Sequence, residues 1–356
     1  MTDSSHRPSE PTLSDRERAI LRAIVHLYVL HASPVGSRML ARYLERELQL
    51  SAASIRNSMA DLEELGLITH PHTSAGRMPT DRGYRMYVDS LMEHEDLPRD
   101  TAAAVSTLLQ TPRESLLREA SRVLGVVSNY LAVVRLPAVR MVRIRRVELI
   151  PLSSERLLVV LALESDIVRT LTIETPMIPK EERLEDVRRL LNERLSGKQL
   201  RDVAHQFPDV AQHDTSNTGA LVRLFIDHVG KLDNIEQAGS DTIHVAGTPR
   251  LLTHPEFVDP ERMRSIIELV ENQEAIVHLL EDPSAEGGVR VRIGNELAHD
   301  DLHDYSLIAT TYRLGDVQGT VGLIGPKRMP YGKLISLVEF VSGIISHGYD
   351  KRPSDS

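Results

Sequence analysis

The sequence predicts a multidomain α+β protein: a small helical unit with a wing comes first, followed by an α+β domain interrupted by a mostly helical insertion. Three observations predict it. Residues 13–92 read as three helices, a polar loop and a fourth helix. Strand-like apolar runs appear between 130 and 173 and return between 289 and 324. The stretch between them, about 179–282, is polar and mostly helical in period. A chain of 356 residues has room for two or three domains, each with its own core. The expected boundaries are a disordered tail at 1–12, a winged unit at 13–92, a linker at 93–100, an α+β domain at 101–178 and 283–350, and an insertion at 179–282.

The elements follow in order. Ser14 with Glu17 three residues on forms a capping box, and Ile20, Ile24, Leu27 and Tyr28 then repeat at helical spacing. This helix is expected to stop near Ser33-Pro34. A short helix from Val35 to about Leu44 turns Met39, Leu40 and Leu44 inward. The third starts at Ser51, a good N-cap, and ends at Gly66, a good residue just past a helix. Its apolar stripe is Ile55, Met59, Leu62 and Leu65. The opposite face carries Ala53, Asn57, Ala60 and Glu64, with Arg56 on the flank. Further along, a helix covers about Thr101 to Val127. Strands are expected at Tyr130–Leu136, Val147–Pro151, Leu157–Leu163 and Ile167–Ile173, with a short apolar piece at Thr242–Ala246. Val289–Ile293 alternates as a strand does. Two longer strands flank Gly315-Asp316, a two-residue type II′ hairpin signal, and an amphipathic helix runs from about Gly332 to Ile345.

Composition excludes several function classes. The net charge of -9 rules out a wholesale basic nucleic-acid binder, so any DNA contact is local. With no cysteine there are no disulfides, thiolate metal sites or cysteine nucleophiles, which suits a reducing cytoplasm. The longest apolar run, Leu157 to Leu163, is too short to span a bilayer, and residues 1–12 lack the apolar core of a signal peptide. A soluble cytoplasmic protein with no membrane partner is expected.

The winged unit carries the functional signal. Two short helices and a third joined through a turn make a helix-turn-helix. The third begins Ser51-Ala52-Ala53-Ser54, small residues that let a helix N-terminus approach DNA closely and offer its free N–H groups to phosphate. Arg56 and Asn57 follow one turn in; arginine pairs bidentately with guanine and asparagine with adenine in the major groove. Leu67-Ile68-Thr69 reads as a short strand. The loop HPHTSAGRMPTDRGYRMY, His70 to Tyr87, lies where a winged helix keeps its wing. There Gly76 is expected to supply a positive-φ turn, Pro79 to stiffen the return, and Arg77 to reach the minor groove or a phosphate. Thr80 is placed to cap the next helix, with Asp81 favouring its dipole, and Tyr84, Tyr87, Val88 and Leu91 to pack that helix inward. Charge does not decide the matter. Residues 14–92 hold ten arginines, no lysine and nine acids, and winged three-helix folds also serve as protein-interaction modules.

The strings SAASIRNSMADLEELGLI and PHTSAGRMPTDRGYRMYVDSLM, with YRLGDVQGTVGLIGPKRMPYGKLISLVEFV near the C-terminus, resemble the HrcA family of bacterial heat-shock repressors. The resemblance implies a winged helix, a GAF-like α+β domain and an inserted dimerisation domain. It implies a homodimer on a double-stranded inverted-repeat operator of chaperone genes, released on heat stress and dependent on the GroE chaperonin. By position, Arg56 and Asn57 would read bases. Ser37, Arg38, Ser51 and Ser54 would hold phosphates, and Thr73, Ser74, Gly76 and Arg77 would form the wing contact. The chain departs from the family pattern at Ser58, where a glutamate is usual; the change is expected on the solvent side of the helix.

Other constellations are weaker. His299 to Asp304 (HDDLHD) clusters potential metal ligands but reads as a solvated loop, so no metal or other cofactor is expected. Gly325 to Lys333 (GPKRMPYGK) fails as a phosphate loop, because six residues separate the glycines and Leu334 follows the lysine; Lys327 and Arg328 are left to solvent or to a neighbouring domain. The GAF-like region allows a second reading, a regulator that senses a small molecule, although the fold alone names no ligand. No nucleophile elbow or paired-carboxylate signature argues for an enzyme.

Overall fold

The computed structural model describes residues 13–45, 50–71, 76–93, 95–137, 142–164, 168–175, 180–206, 217–237, 243–280, 288–297, 302–315 and 317–350. The N-terminal unit comprises α1 (Asp15–His31), α2 (Ser37–Tyr43), α3 (Ala52–Glu64), β1 (Ile68–Thr69), β2 (Met78–Pro79) and α4 (Asp81–Met86), whose end runs into a π-helical turn at Tyr87–Leu91. The Ser14–Glu17 capping box forms as expected, with the Ser14 amide donating to Glu17 Oε2 at 2.7 Å. α1 ends slightly before Ser33-Pro34, because Ala32 takes a left-handed conformation at φ 52°. α2 starts at Ser37 rather than Val35, since Val35 is drawn into a backbone bridge with Arg77. Gly66, just past α3, has φ 69°, the geometry for which glycine is favoured there. Ile20, Ile24, Leu40, Ile55, Leu62, Leu67 and Tyr84 are buried together in one continuous core.

The helix expected over 101–127 is two: α5 (Arg99–Leu108) and α6 (Arg113–Ser128), broken where Pro112 takes the N-cap position of the second. β3 (Leu131–Arg135) follows. The next three strands, β4 (Ile144–Pro151), β5 (Arg156–Leu163) and β6 (Val168–Glu174), form a separate antiparallel meander in that order. α7 (Glu181–Leu195), a 3-10 segment (Leu200–Gln206) and α8 (Asn217–Gln237) belong to the same unit, with α7 packed on β4 and α8 on β6. β5 alternates, its Leu157, Val159, Leu161 and Leu163 being buried. Asn192 of α7 closes the edge of β4: its Oδ1 accepts from the Val147 amide at 2.9 Å and its Nδ2 donates to the Val147 carbonyl at 2.8 Å.

The chain then returns. β7 (Ile243–Ala246) pairs with β3 across more than a hundred residues of sequence. After α9 (Thr248–Leu251), a 3-10 turn (Pro255–Val258), α10 (Pro260–Glu271) and α11 (Gln273–Leu280) come β8 (Arg290–Ile293), a 3-10 turn (Gly294–Leu297), β9 (Tyr305–Leu314), β10 (Val317–Pro326) and α12 (Tyr331–Asp350). The main sheet is antiparallel in the order β7-β3-β10-β9-β8, and α6 and α12 pack on it. β9 and β10 are buried along almost their whole length, so both faces of the sheet centre are covered. The hairpin turn holds Gly315 at φ 58°.

This topology corrects the expected partition. The strands at 144–174, expected within the α+β domain, form their own sheet, while β7, expected within the insertion, joins the main sheet. Hairpins of local contact explain the meander; nothing local in β7 indicates that its partner lies so far upstream.

Candidate nucleic-acid interface

α3 presents the expected face. Ser51 caps it, its Oγ accepting from the Ser54 amide at 3.2 Å, and the two hydroxyls lie 3.1 Å apart. Ala53, Arg56, Asn57, Ala60 and Glu64 are exposed, while Ile55, Met59 and Leu62 are buried and anchor the opposite side on α1 and α2. Arg56 folds back lightly, Nε donating to the Ala52 carbonyl at 3.3 Å, which leaves its terminal nitrogens toward solvent. On α2, Arg38 is exposed and Ser37 is half-buried near the helix start. Ser58 corrects its expectation: it is fully buried, on the stripe of Ile55, Met59 and Leu62, and its hydroxyl makes no hydrogen bond among the described residues. Spacing decides this, since residues i, i+3, i+4 and i+7 share a helix face.

The wing is real but is built differently from the expectation. β1 and β2 pair antiparallel, Ile68 with Pro79 and Thr69 with Met78. Val35 adds a third, one-residue rung: its amide donates to the Arg77 carbonyl at 2.8 Å, and the Arg77 amide returns the bond at 2.9 Å. Gly76 supplies no positive-φ turn. It is required because a Cβ there would lie 2.6 Å from the Val35 carbonyl carbon and 2.7 Å from the Pro34 carbonyl oxygen. Thr73 and Ser74, expected at the wing contact, lie outside the described residues.

Arg77 is already engaged. Its guanidinium pairs with Glu63 of α3 at 2.9 Å, and His70 on the other leg of the wing binds the same carboxylate. Burial alone would raise the Glu63 pKa, but the hydrogen bond from His70 and the charge and hydrogen bonds of Arg77 outweigh it and hold the carboxyl below its usual value. Arg82 donates to the Leu65 carbonyl at 3.0 Å, satisfying the end of α3. Thr80 caps α4 through the Gly83 amide at 3.1 Å and ties back to the Gly66 carbonyl at 2.7 Å. Sequence reasoning missed this bracket: Glu63, His70, Arg77 and Arg82 together fix the wing to the end of α3. The only sequence signal was a set of acids at that end and arginines across the loop.

The remaining clusters acquire structural roles. Asp304 accepts from Arg262 at 3.0 Å and lies 3.8 Å from Lys327 Nζ, while His299 to Asp301 fall outside the described residues. No cluster of three potential metal ligands occurs among the described residues, and no described helix is long and apolar enough to cross a membrane.

Comparison with known proteins agrees with this geometry. Residues 12–91 match the family model for the winged helix-turn-helix transcription repressor, HrcA DNA-binding, and residues 114–335 match that for the HrcA protein C terminal domain. A protein of Chlorobium phaeobacteroides named heat-inducible transcription repressor HrcA is 36% identical, with 94% of this chain and 98% of its own covered. One of the same name from Symbiobacterium thermophilum is 33% identical over 94% of this chain and 98% of its own. A crystal structure described as a hypothetical protein is similar at a TM-score of 0.61 and 26% identity, covering 95% of this chain and 99% of that one. With both of its parts matched and relatives aligned along almost its full length, the chain belongs to the HrcA family.

Proposed function

We propose that this protein represses chaperone genes by binding a double-stranded inverted-repeat operator as a homodimer, that heat stress releases it, and that its activity depends on the GroE chaperonin. One observation carries the DNA reading: a recognition helix, α3, displays Ser51, Ala53, Arg56, Asn57 and Ala60 on one exposed face directly beside a braced wing. Small side chains at the helix start admit close approach to the backbone, and Arg56 and Asn57 offer bidentate chemistry to guanine and adenine. Ser37, Arg38, Ser51 and Ser54 hold phosphates in this reading. Thr73, Ser74, Gly76 and Arg77 make the wing contact, Arg77 by exchanging Glu63 for phosphate or by holding the wing tip in place. The relatives' names support transcriptional repression under heat control. A two-fold operator calls for a two-fold protein. The five-stranded sheet with α6 and α12 is our GAF-like domain, and the unit from about 142 to 242 is the inserted dimerisation domain.

The test is binding of the purified full chain to the operator and to a scrambled duplex at two salt concentrations, with and without GroE. Selective binding that weakens with salt supports the repressor. Failure on the operator even with GroE present makes the winged helix an interaction module. Thermal stabilisation by a metabolite rather than by operator would instead favour a ligand-sensing regulator.

A further inference from the structure

Lys327 and Arg328, in the loop between β10 and α12, face the winged unit rather than solvent. Lys327 Nζ lies 2.6 Å from Asp81 Oδ1, at the first residue of α4. Arg328, only 11% exposed, makes a two-point pair with Glu256 through Nε and NH2, and its NH1 donates to the Val29 carbonyl in the last turn of α1. That carbonyl is one of the helix-end acceptors with no partner inside the helix. A third cation crosses in the opposite direction. Arg85 of α4 pairs with Glu296, its NH2 donating also to the Val291 carbonyl at 2.6 Å. The Asn295 amide donates to Asp81 Oδ2 at 3.3 Å. The ring of Tyr84 packs 6.0 Å from that of Tyr331. Even the linker is held, since Ser336 Oγ donates to the Glu95 carbonyl. The contacts grip α1 and α4 and leave the exposed face of α3 untouched.

We infer that Lys327, Arg328 and Arg85 clamp the winged helix onto the sheet domain at one angle, and that this clamp, rather than any base contact, sets which half-site spacing the dimer accepts. The inference rests on the operator-binding dimer proposed above. Two rigidly held recognition helices match one separation and phase along the duplex. Released, each winged unit hangs on residues 93–98, six residues that extended reach roughly 20 Å. A half-turn insertion of five base pairs shifts a half-site about 17 Å along the axis and turns it to the opposite face of the duplex, a displacement that the two released linkers share. A freed domain can therefore follow the displaced site that a clamped one cannot.

The experiment measures operator affinity at the natural spacing, with five base pairs inserted between half-sites, and on a single half-site, for the full chain with GroE present in every arm. Wild type is expected to lose about a hundredfold or more on insertion, the order by which linked sites exceed single ones. Lys327→Ala/Arg328→Ala should lose less than about tenfold. Because the readout is a ratio between duplexes of like charge, simple loss of two cations does not move it. Circular dichroism and half-site affinity equal to wild type show that the variant is folded; Glu256→Gln serves as the milder variant if it is not. Lys327→Asp should also relax spacing, and Asp81→Lys in that background should restore it. Variants that keep the wild-type spacing ratio overturn the clamp while leaving the repressor reading intact. Lys327→Asp weakening every duplex equally, with no rescue, makes Lys327 a DNA contact and also overturns it. Wild type that is indifferent to spacing yet binds two half-sites more tightly than one overturns the clamp alone, whereas wild type that binds no operator overturns the repressor reading and the clamp together.

Discussion

At the scale of single residues, the recognition face and the wing bracket ask different things of their side chains. Arg56 is exposed and almost unengaged, so its role is tested on DNA: Arg56→Ala should cost about 1–3 kcal/mol on operator and little on scrambled duplex in a binding titration. Equal losses on both would make it a phosphate contact. Ser58 is a residue of the core. Its buried, unpartnered hydroxyl sits in a helix interior, so Ser58→Ala should stabilise the protein by about 1 kcal/mol in urea unfolding. A destabilised variant would show that the hydroxyl has a partner. Glu63 ties the wing's two legs and carries a lowered pKa. Its contribution is therefore present above the ordinary carboxylate range and is lost as pH falls through the lowered folded value. Amide exchange at Val35 and Arg77, corrected for intrinsic rate, should accelerate in acid, and Glu63→Gln should accelerate it at neutral pH. A wing indifferent to both would show that Glu63 does not brace it.

Elements come next, because caps and edges decide where each begins and stops. Ser14, Ser51 and Thr80 start α1, α3 and α4, and all three are readable because a hydroxyl before an apolar period has one main use. Pro112 was equally visible, yet the period on either side of it suggested one continuous helix. β4 shows the limit of period reading. Its edge is closed by the side-chain amide of Asn192, a residue with no strand signal of its own. Removing that amide leaves the Val147 N–H and carbonyl short of partners at a buried position, so Asn192→Ala should cost roughly 1–3 kcal/mol in denaturant unfolding. A loss below a few tenths would mean that water replaces the amide freely.

For the whole molecule, the contacts that matter join parts distant in sequence. Asp81 meets Lys327, Arg85 meets Glu296, and Val29 meets Arg328. They couple the winged helix to the main sheet, so the two should unfold together in wild type. Lys327→Ala/Arg328→Ala should separate the melting of the N-terminal unit from that of the rest by calorimetry. A single unchanged transition would mean that the Tyr84–Tyr331 packing and the linker suffice without the charges.

The helices of the N-terminal unit, the exposed face of α3, the position of the wing and the family are all legible from the chain alone, because caps, helical period and a long motif are local signals. Three matters are left to the tertiary structure. The sheet to which β4–β6 and β7 belong depends on pairing between strands, and β7 finds β3 more than a hundred residues away. The need for Gly76 comes from a neighbouring backbone, Pro34-Val35, not from its own turn. The roles of Glu63, Lys327 and Arg328 depend on which opposite charge or carbonyl lies across a gap in space. A charged residue's identity is written in the chain, whereas its partner is decided only when separate elements pack against each other.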